Sequence, residues 1–204
     1  MANLGNLLAW GIENSTPGGE AKTELNPALL AQLFGNQKSD ATLMKEAMEA
    51  IQDPEVSLKD KEIAFDNFEL MIEQLDNANN IENLELWPPL ISQLSAPEKE
   101  LRLLAAWCCG TAVQNNIKSQ QDFYKHGGVP KLVDLLLKDP AEDVRRKAIY
   151  ALSSAVRNLQ PALDAGLELL PSELLAGQEL KADNMEGIDA LMAKLRERAA
   201  NVTK

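Results

Sequence analysis

The chain is short of aromatic rings and of positive charge, and it carries one histidine and two cysteines. Each scarcity excludes something. Aromatics make up only 4% of the residues, Leu and Ala dominate the apolar set, and no stretch reads as a period-two strand. Strands therefore have no support, and the chain is expected to be all-α. With 20 Lys and Arg against 31 Asp and Glu, the formal net charge of −11 argues against a nucleic-acid partner, whose phosphates need cations to replace their counterions. The lone His126 has too few companions for a metal site or a nucleophilic triad, so it reads as an exposed corner residue. Cys108 and Cys109 are neighbours and cannot staple distant segments; buried, reduced thiols of a cytosolic protein are expected.

Long apolar runs are missing too. The longest uncharged one, residues 103–113, is about half of the ~20 residues that a membrane crossing needs. The start, MANLGNLLAWGIENS, has no basic region, and Asn3 and Asn6 interrupt its apolar stretch, so it does not read as a secretory signal. The charge that is present is uneven. Residues 53–100 hold 12 acids and 3 bases, whereas residues 101–160 hold 5 acids and 9 bases. This fits either solvated helix faces or a surface with opposite poles that orients a large partner.

What the sequence does have is a repeat. LRLLAAWCCGTAVQNN (101–116) lies over VRRKAIYALSSAVRNL (144–159) without a gap, pairing Ala105 with Ala148, Trp107 with Tyr150, Val113 with Val156 and Asn115 with Asn158 at an offset of 43. IAFDNFELMIEQL (63–75) precedes the first of these at an offset of 41. Apolar positions 148, 151, 152, 155, 156 and 159 mark one buried helical face. Shorter apolar segments follow the long helices: WPPLISQL (87–94), GVPKLVDLLL (128–137) and LLPSELL (169–175). Pro89 and Pro130 align and suit a first helical turn. Gly127 and Gly128 suit a corner, and their spacing does not make a phosphate loop. In KDPAED, Asp139 is expected to cap a helix with Pro140 at its first position, and QDPEV (52–56) repeats that punctuation.

Three helices per roughly 42 residues resemble the armadillo repeat. The expectation is an armadillo-like right-handed α-solenoid of about three repeats, at about 53–96, 97–139 and 140–177. Helices from 27–35 and 41–52 would cap the N-terminal side (25–52). A tail (178–204) would cap the other, starting at an Asp183/Glu186 capping box and burying Ile188, Leu191, Met192 and Leu195. Residues 1–24 read as a flexible arm because of the polar linker STPGGEAKTE. Within it Leu4, Leu7, Leu8 and Ile12 can form a helical stripe packed on the first repeat, or Leu7, Leu8 and Trp10 can enter an apolar groove in extended form.

The helix ends are rich in amides: Asn77, Asn79, Asn80 and Asn83, then Gln114, Asn115 and Asn116, then Arg157 and Asn158. Asn favours helix ends on its own merits. Stacked repeats would also set these turns side by side as a ladder of donors and acceptors.

The strings LLAWGIENS, LLAQLFG, LMKEAMEAI, AFDNFELMIEQLDNANNIENLELW and TAVQNN resemble the Fes-type armadillo nucleotide exchange factors of the Hsp-70 chaperones, over about residues 3–165. The resemblance implies a co-chaperone with no catalytic residues, cofactor or metal. It would grip the second lobe of the chaperone's nucleotide-binding domain with its concave face, open the cleft and promote ADP release. The start of the chain favours the cytoplasm and leaves the nucleus open, and a monomer with neither nucleic acid nor membrane as partner is expected. The resemblance nominates Asn77, Ala78, Asn79, Asn80, Gln114, Asn115 and Asn116 as contacts, with Arg157 and Asn158 by repeat equivalence. Ala78 would be an exposed small residue that lets the partner approach. The arm (Leu4, Leu7, Leu8, Trp10, Ile12) would help free bound clients. Longer relatives carry at least one further armadillo unit, which leaves its contacts open here. The alternative is an armadillo scaffold that binds an extended peptide or another folded protein.

Overall fold

The periodic apolar faces become helices stacked in one direction. A computed structural model describes residues 38–175 and 180–201. The arm of residues 1–24 and the 27–35 segment lie outside the described residues. The first described helix, α1 (Asp40–Gln52), buries Met44, Ala47, Met48 and Ile51. Their i, i+3, i+4, i+7 spacing makes one stripe, which packs against α2 (Leu58–Ile72).

Three long helices carry the solenoid, and each is followed by two shorter ones. After α2 come α3 (Leu75–Asn80) and α4 (Trp87–Ser92), the latter continued by a 3₁₀ turn at Gln93–Ser95. The long α5 (Lys99–Val113) is followed by α6 (Ile117–Lys125) and α7 (Gly128–Lys138). The long α8 (Glu142–Val156) is followed by α9 (Gln160–Leu169) and α10 (Ser172–Leu175). The core is continuous through all of them, as expected of units that cannot bury their apolar faces alone.

Successive long helices run the same way. At their starts Lys99 of α5 meets Asp143 of α8 at 2.8 Å. Further along, Thr111 of α5 donates to Glu69 of α2 at 2.8 Å. Small residues allow this close stacking: a Cβ at Gly110 would lie 2.4 Å from the Tyr150 ring and 3.2 Å from the Ala151 backbone. Cys108 and Cys109 are buried in the same layer, and burial pushes both thiols up. They pack as small hydrophobes.

The final helix, α11 (Met185–Asn201), buries Ile188, Leu191, Met192, Leu195 and Ala199 and packs on α8. It runs in the opposite direction. Arg157, just past the end of α8, is paired with Asp189 near the start of α11. Arg145, near the start of α8, donates to the carbonyl of Ala199 at 3.1 Å and to that of Asp139 at 2.7 Å. A guanidinium is suited to the carbonyl-rich end of a helix. Its repeat equivalent, Arg102, holds the carbonyls of Ala96 and Pro97 at 2.9 and 2.8 Å and pairs with Asp139. The aligned strings carry this arginine pair at the repeat offset of 43.

Local turn chemistry departs from the sequence reading at three places. Asp139 accepts from the backbone N–H of Ala141 at 2.8 Å, and α8 begins only at Glu142, so Pro140 sits in the turn before the helix. Asp53 does the same with Glu55 at 2.8 Å, and Ser57 is the residue that caps α2. A short carboxylate reaching two residues ahead makes a turn that delays the helix. At α11 the Gly187 N–H donates to the Asn184 side-chain oxygen at 3.0 Å, in place of the expected Asp183 box. The corner at Gly127 does follow expectation, with φ 74°, where a side chain would be strained.

Candidate functional site: the face of the long helices

The ends of the long helices fix where polar groups gather. Asn115 and Asn158 each follow a long helix and both adopt left-handed backbone, at φ 53° and 61°. Asn tolerates that region better than other side chains, so its recurrence at an offset of 43 has a local cause. The same geometry sets Gln114, Asn115, Arg157 and Asn158 along one groove of about 760 Å³. Tyr150 and Ser153 of α8 line it as well. Tyr150 donates to the Gln114 side chain at 3.1 Å, tying α8 to the end of α5. Arg157 also donates to Ser153 Oγ at 3.1 Å.

A second groove of about 340 Å³ shares Gln114, Asn115 and Tyr150 and adds Glu69, Glu73, Trp107 and Thr111. The face of the long helices is thus acidic at the α2 end and cationic at the α8 end. Trp107 is 37% exposed. Lys147 stands 4.5 Å from its ring centre and 5.6 Å from that of Tyr150, a contact between cation and ring quadrupole. The sequence reading missed Glu69, Glu73, Trp107, Thr111 and Tyr150. A signal existed, because Trp107 and Tyr150 align in the repeat. Aromatic residues in an apolar pattern read as core, and only the packing shows these two at the surface.

The first amide cluster does not join this groove. LDNANN is a six-residue helix, α3, and not a helix end. Ala78 is only 4% exposed and belongs to the core, so its expected exposure is overturned. Asn77 is buried too. It donates to Asp40 at 2.8 Å and to the Met71 carbonyl at 3.0 Å, closing α1 and α2 over α3. Asn116 is likewise buried: it caps α6, accepting from Ser119 N–H at 3.3 Å. Asn79 and Asn80 are half-buried. The Asn79 carbonyl accepts from Lys118 at 2.7 Å, and Asn80 accepts from Asn83 at 3.2 Å. Buried Gln120 was not foreseen. Its amide donates to the carbonyls of Ser154 and Arg157 at 2.7 and 2.8 Å, satisfying the end of α8.

His126 is no free corner residue. Its ring is 26% exposed and lies 2.6 Å from Glu82, which Lys125 also meets at 2.9 Å. The Lys125 hydrogen bond, then that of His126, draws the Glu82 carboxyl below its ordinary value despite partial desolvation. The cluster clamps the turn after α3 to the end of α6. Among the described residues no group of three or more metal-ligating side chains is present. No described helix is long and apolar enough to cross a membrane.

Comparisons with known proteins agree with this architecture. A family model described as nucleotide exchange factor Fes1 matches residues 4–81, and one described as the SIL1/FES1/HPBP1 C-terminal domain matches residues 77–179. The chain is 52% identical to the Hsp70 nucleotide exchange factor FES1 of Gibberella zeae, over 96% of each chain. It is 49% identical to that of Coccidioides immitis, over 96% of this chain and 98% of the relative. Among solved structures, a designed armadillo repeat protein aligns with a TM-score of 0.57 at 14% identity, covering 77% of this chain and 70% of the other. An armadillo-repeats-only protein from Plasmodium falciparum aligns with a TM-score of 0.52 at 16% identity, over 94% and 93%. The helical triples are therefore an armadillo-like solenoid, and the chain belongs to the Fes1 family of nucleotide exchange factors.

Proposed function

We propose that this chain is a nucleotide exchange factor for a cytosolic Hsp70 chaperone, acting as a monomer with no chemistry of its own. The observation that carries the reading is near-full-length identity of about half to factors of that name. The face of the long helices gives it a physical basis, with an exposed aromatic, tyrosine and amide side chains and cations in adjoining grooves. Such a surface suits a folded partner, since Trp, Tyr and Arg supply most binding energy at interfaces.

Exchange then follows from differential binding. A rigid clamp that fits the open arrangement of the nucleotide-binding domain better than the closed one shifts the population towards open. ADP affinity falls by the same factor by which ADP weakens the clamp's own binding. Gln114, Asn115, Arg157 and Asn158 make the polar contacts in this reading, and Trp107 and Tyr150 the apolar ones. Asn79 and Asn80 stand at a separate edge, while Asn77, Ala78 and Asn116 hold the scaffold. Residues 1–24, with Leu4, Leu7, Leu8, Trp10 and Ile12, are proposed to aid client release; deleting 1–20 should slow release of a bound peptide while leaving ADP release intact.

The test is reciprocity. Calorimetry with an Hsp70 nucleotide-binding domain should give a dissociation constant that weakens on adding ADP, by the factor by which the chain weakens ADP binding. Equal affinity with and without ADP would mean a scaffold that binds the domain without exchanging its nucleotide.

A further inference from the structure

The groove of about 760 Å³ is lined not only by the repeats but also by Met185 and Arg196 of the terminal helix α11. We infer that α11 completes the partner-binding groove, with Arg196, about two turns along α11 from the Arg157–Asp189 pair, receiving a carboxylate-bearing segment of the chaperone's nucleotide-binding domain. This rests on the exchange-factor reading above and adds the terminal helix to its contact surface.

Helical geometry places Arg196 there. At 100° per residue the buried stripe of Ile188, Leu191, Met192, Leu195 and Ala199 leaves two flanks. Met185, Asp189 and Arg196 fall on one, and Lys194 and Arg198 on the other. Because α11 runs against α8, the first flank lies along the edge that carries Tyr150, Ser153 and Arg157. The Arg157–Asp189 pair and the contact of Arg157 with Met185 sulfur at 3.3 Å register the two helices.

Charge decides the kind of partner. The lining of this groove contains two arginines and no carboxylate. Arg157 is already paired with Asp189. On the other flank, Arg198 pairs with Glu173 at 3.7 Å and Lys194 donates to the Leu174 carbonyl at 3.1 Å. Arg196 makes no ion pair or hydrogen bond among the described residues, and it is exposed beside neutral amides and hydroxyls. A fork of five donors with nothing to donate to, in a groove without acids, is matched by a carboxylate. In a chain of net charge −11, an acidic segment meets less repulsion in this groove than in the neighbouring one that holds Glu69 and Glu73.

The experiment compares parent, Arg196→Glu, Arg196→Gln and Arg198→Glu for binding to the Gibberella zeae Hsp70 nucleotide-binding domain, by anisotropy at ~50 and ~300 mM salt. Arg196→Glu should weaken binding about tenfold at low salt and less at high salt, and Arg196→Gln about threefold. Arg198→Glu, of equal charge on the far flank, should bind within about twofold of parent. Melting temperatures of the Arg196 variants should match the parent, since Arg196 makes no ion pair or hydrogen bond among the described residues. The inference is overturned if Arg196→Glu binds like the parent, or if Arg198→Glu loses as much, which would leave only long-range charge. A parent chain that does not bind the domain overturns the exchange-factor reading, and the inference with it.

Discussion

At the scale of single residues, position within the stack matters more than residue type. Ala78 is small and amid amides, yet it is core, and Ala78→Trp should therefore unfold α3 locally. Overpacking a filled core costs about 1–3 kcal/mol or more. The expected reading is a lowered melting temperature along with any loss of binding; a variant that melts like the parent would put Ala78 back at the surface. Glu82 supports a second prediction. Its folded pKa lies below its ordinary 4.5 because Lys125 and His126 favour the charged form. A depressed carboxylate contributes stability that is present above its unfolded pKa and lost as pH falls through the folded one. Melting temperature should thus decline below about pH 4.5, and Glu82→Gln should flatten that decline. Glu82 is only partly solvent-exposed but Lys125 is 67% exposed, so solvent screens the pair and the change will be small. A variant with the parent's acid profile would show that the clamp contributes nothing.

At the scale of elements, the sequence showed what repeats and concealed what happens at the joins. Ala105 with Ala148 and Val113 with Val156 made the period visible, because stacked long helices demand the same residue at the same depth. Arg157 and Asn158 were legible by that register, and the structure does bring them to Gln114 and Asn115. LDNANN was misread because a six-residue helix and a frayed helix end share a composition, and only burial distinguishes them. The direction of α11 was not legible at all. Its apolar stripe fits either orientation, and Arg145 with Arg157 selects the antiparallel one. Arg145→Ala should therefore loosen α11. Two buried carbonyls lose charged donors, worth about 1.5–3 kcal/mol each at most. Amide exchange across residues 185–201 should accelerate more than in α2. Uniform acceleration, or none, would mean that apolar packing alone seats the helix.

At the scale of the whole molecule, the proposed contact surface draws its parts from several repeats. Gly110 is a junction of fold and site, because Tyr150 crosses α5 where a Cβ would lie 2.4 Å from its ring. Gly110→Ala should lower the melting temperature and also weaken chaperone binding, since Tyr150 must move. Binding that survives unchanged would remove Tyr150 from the contact. The charge gradient, acidic near Glu69 and Glu73 and cationic near Arg157, gives the surface a direction that a two-lobed partner can read. The most direct measurement of the central claim is stopped-flow release of fluorescent ADP from an Hsp70 nucleotide-binding domain, with and without the chain. The account predicts acceleration of at least roughly tenfold, the order of a typical coupling free energy, abolished by Tyr150→Glu in a chain that still folds. Release at the intrinsic rate with the folded parent chain at saturation would contradict it.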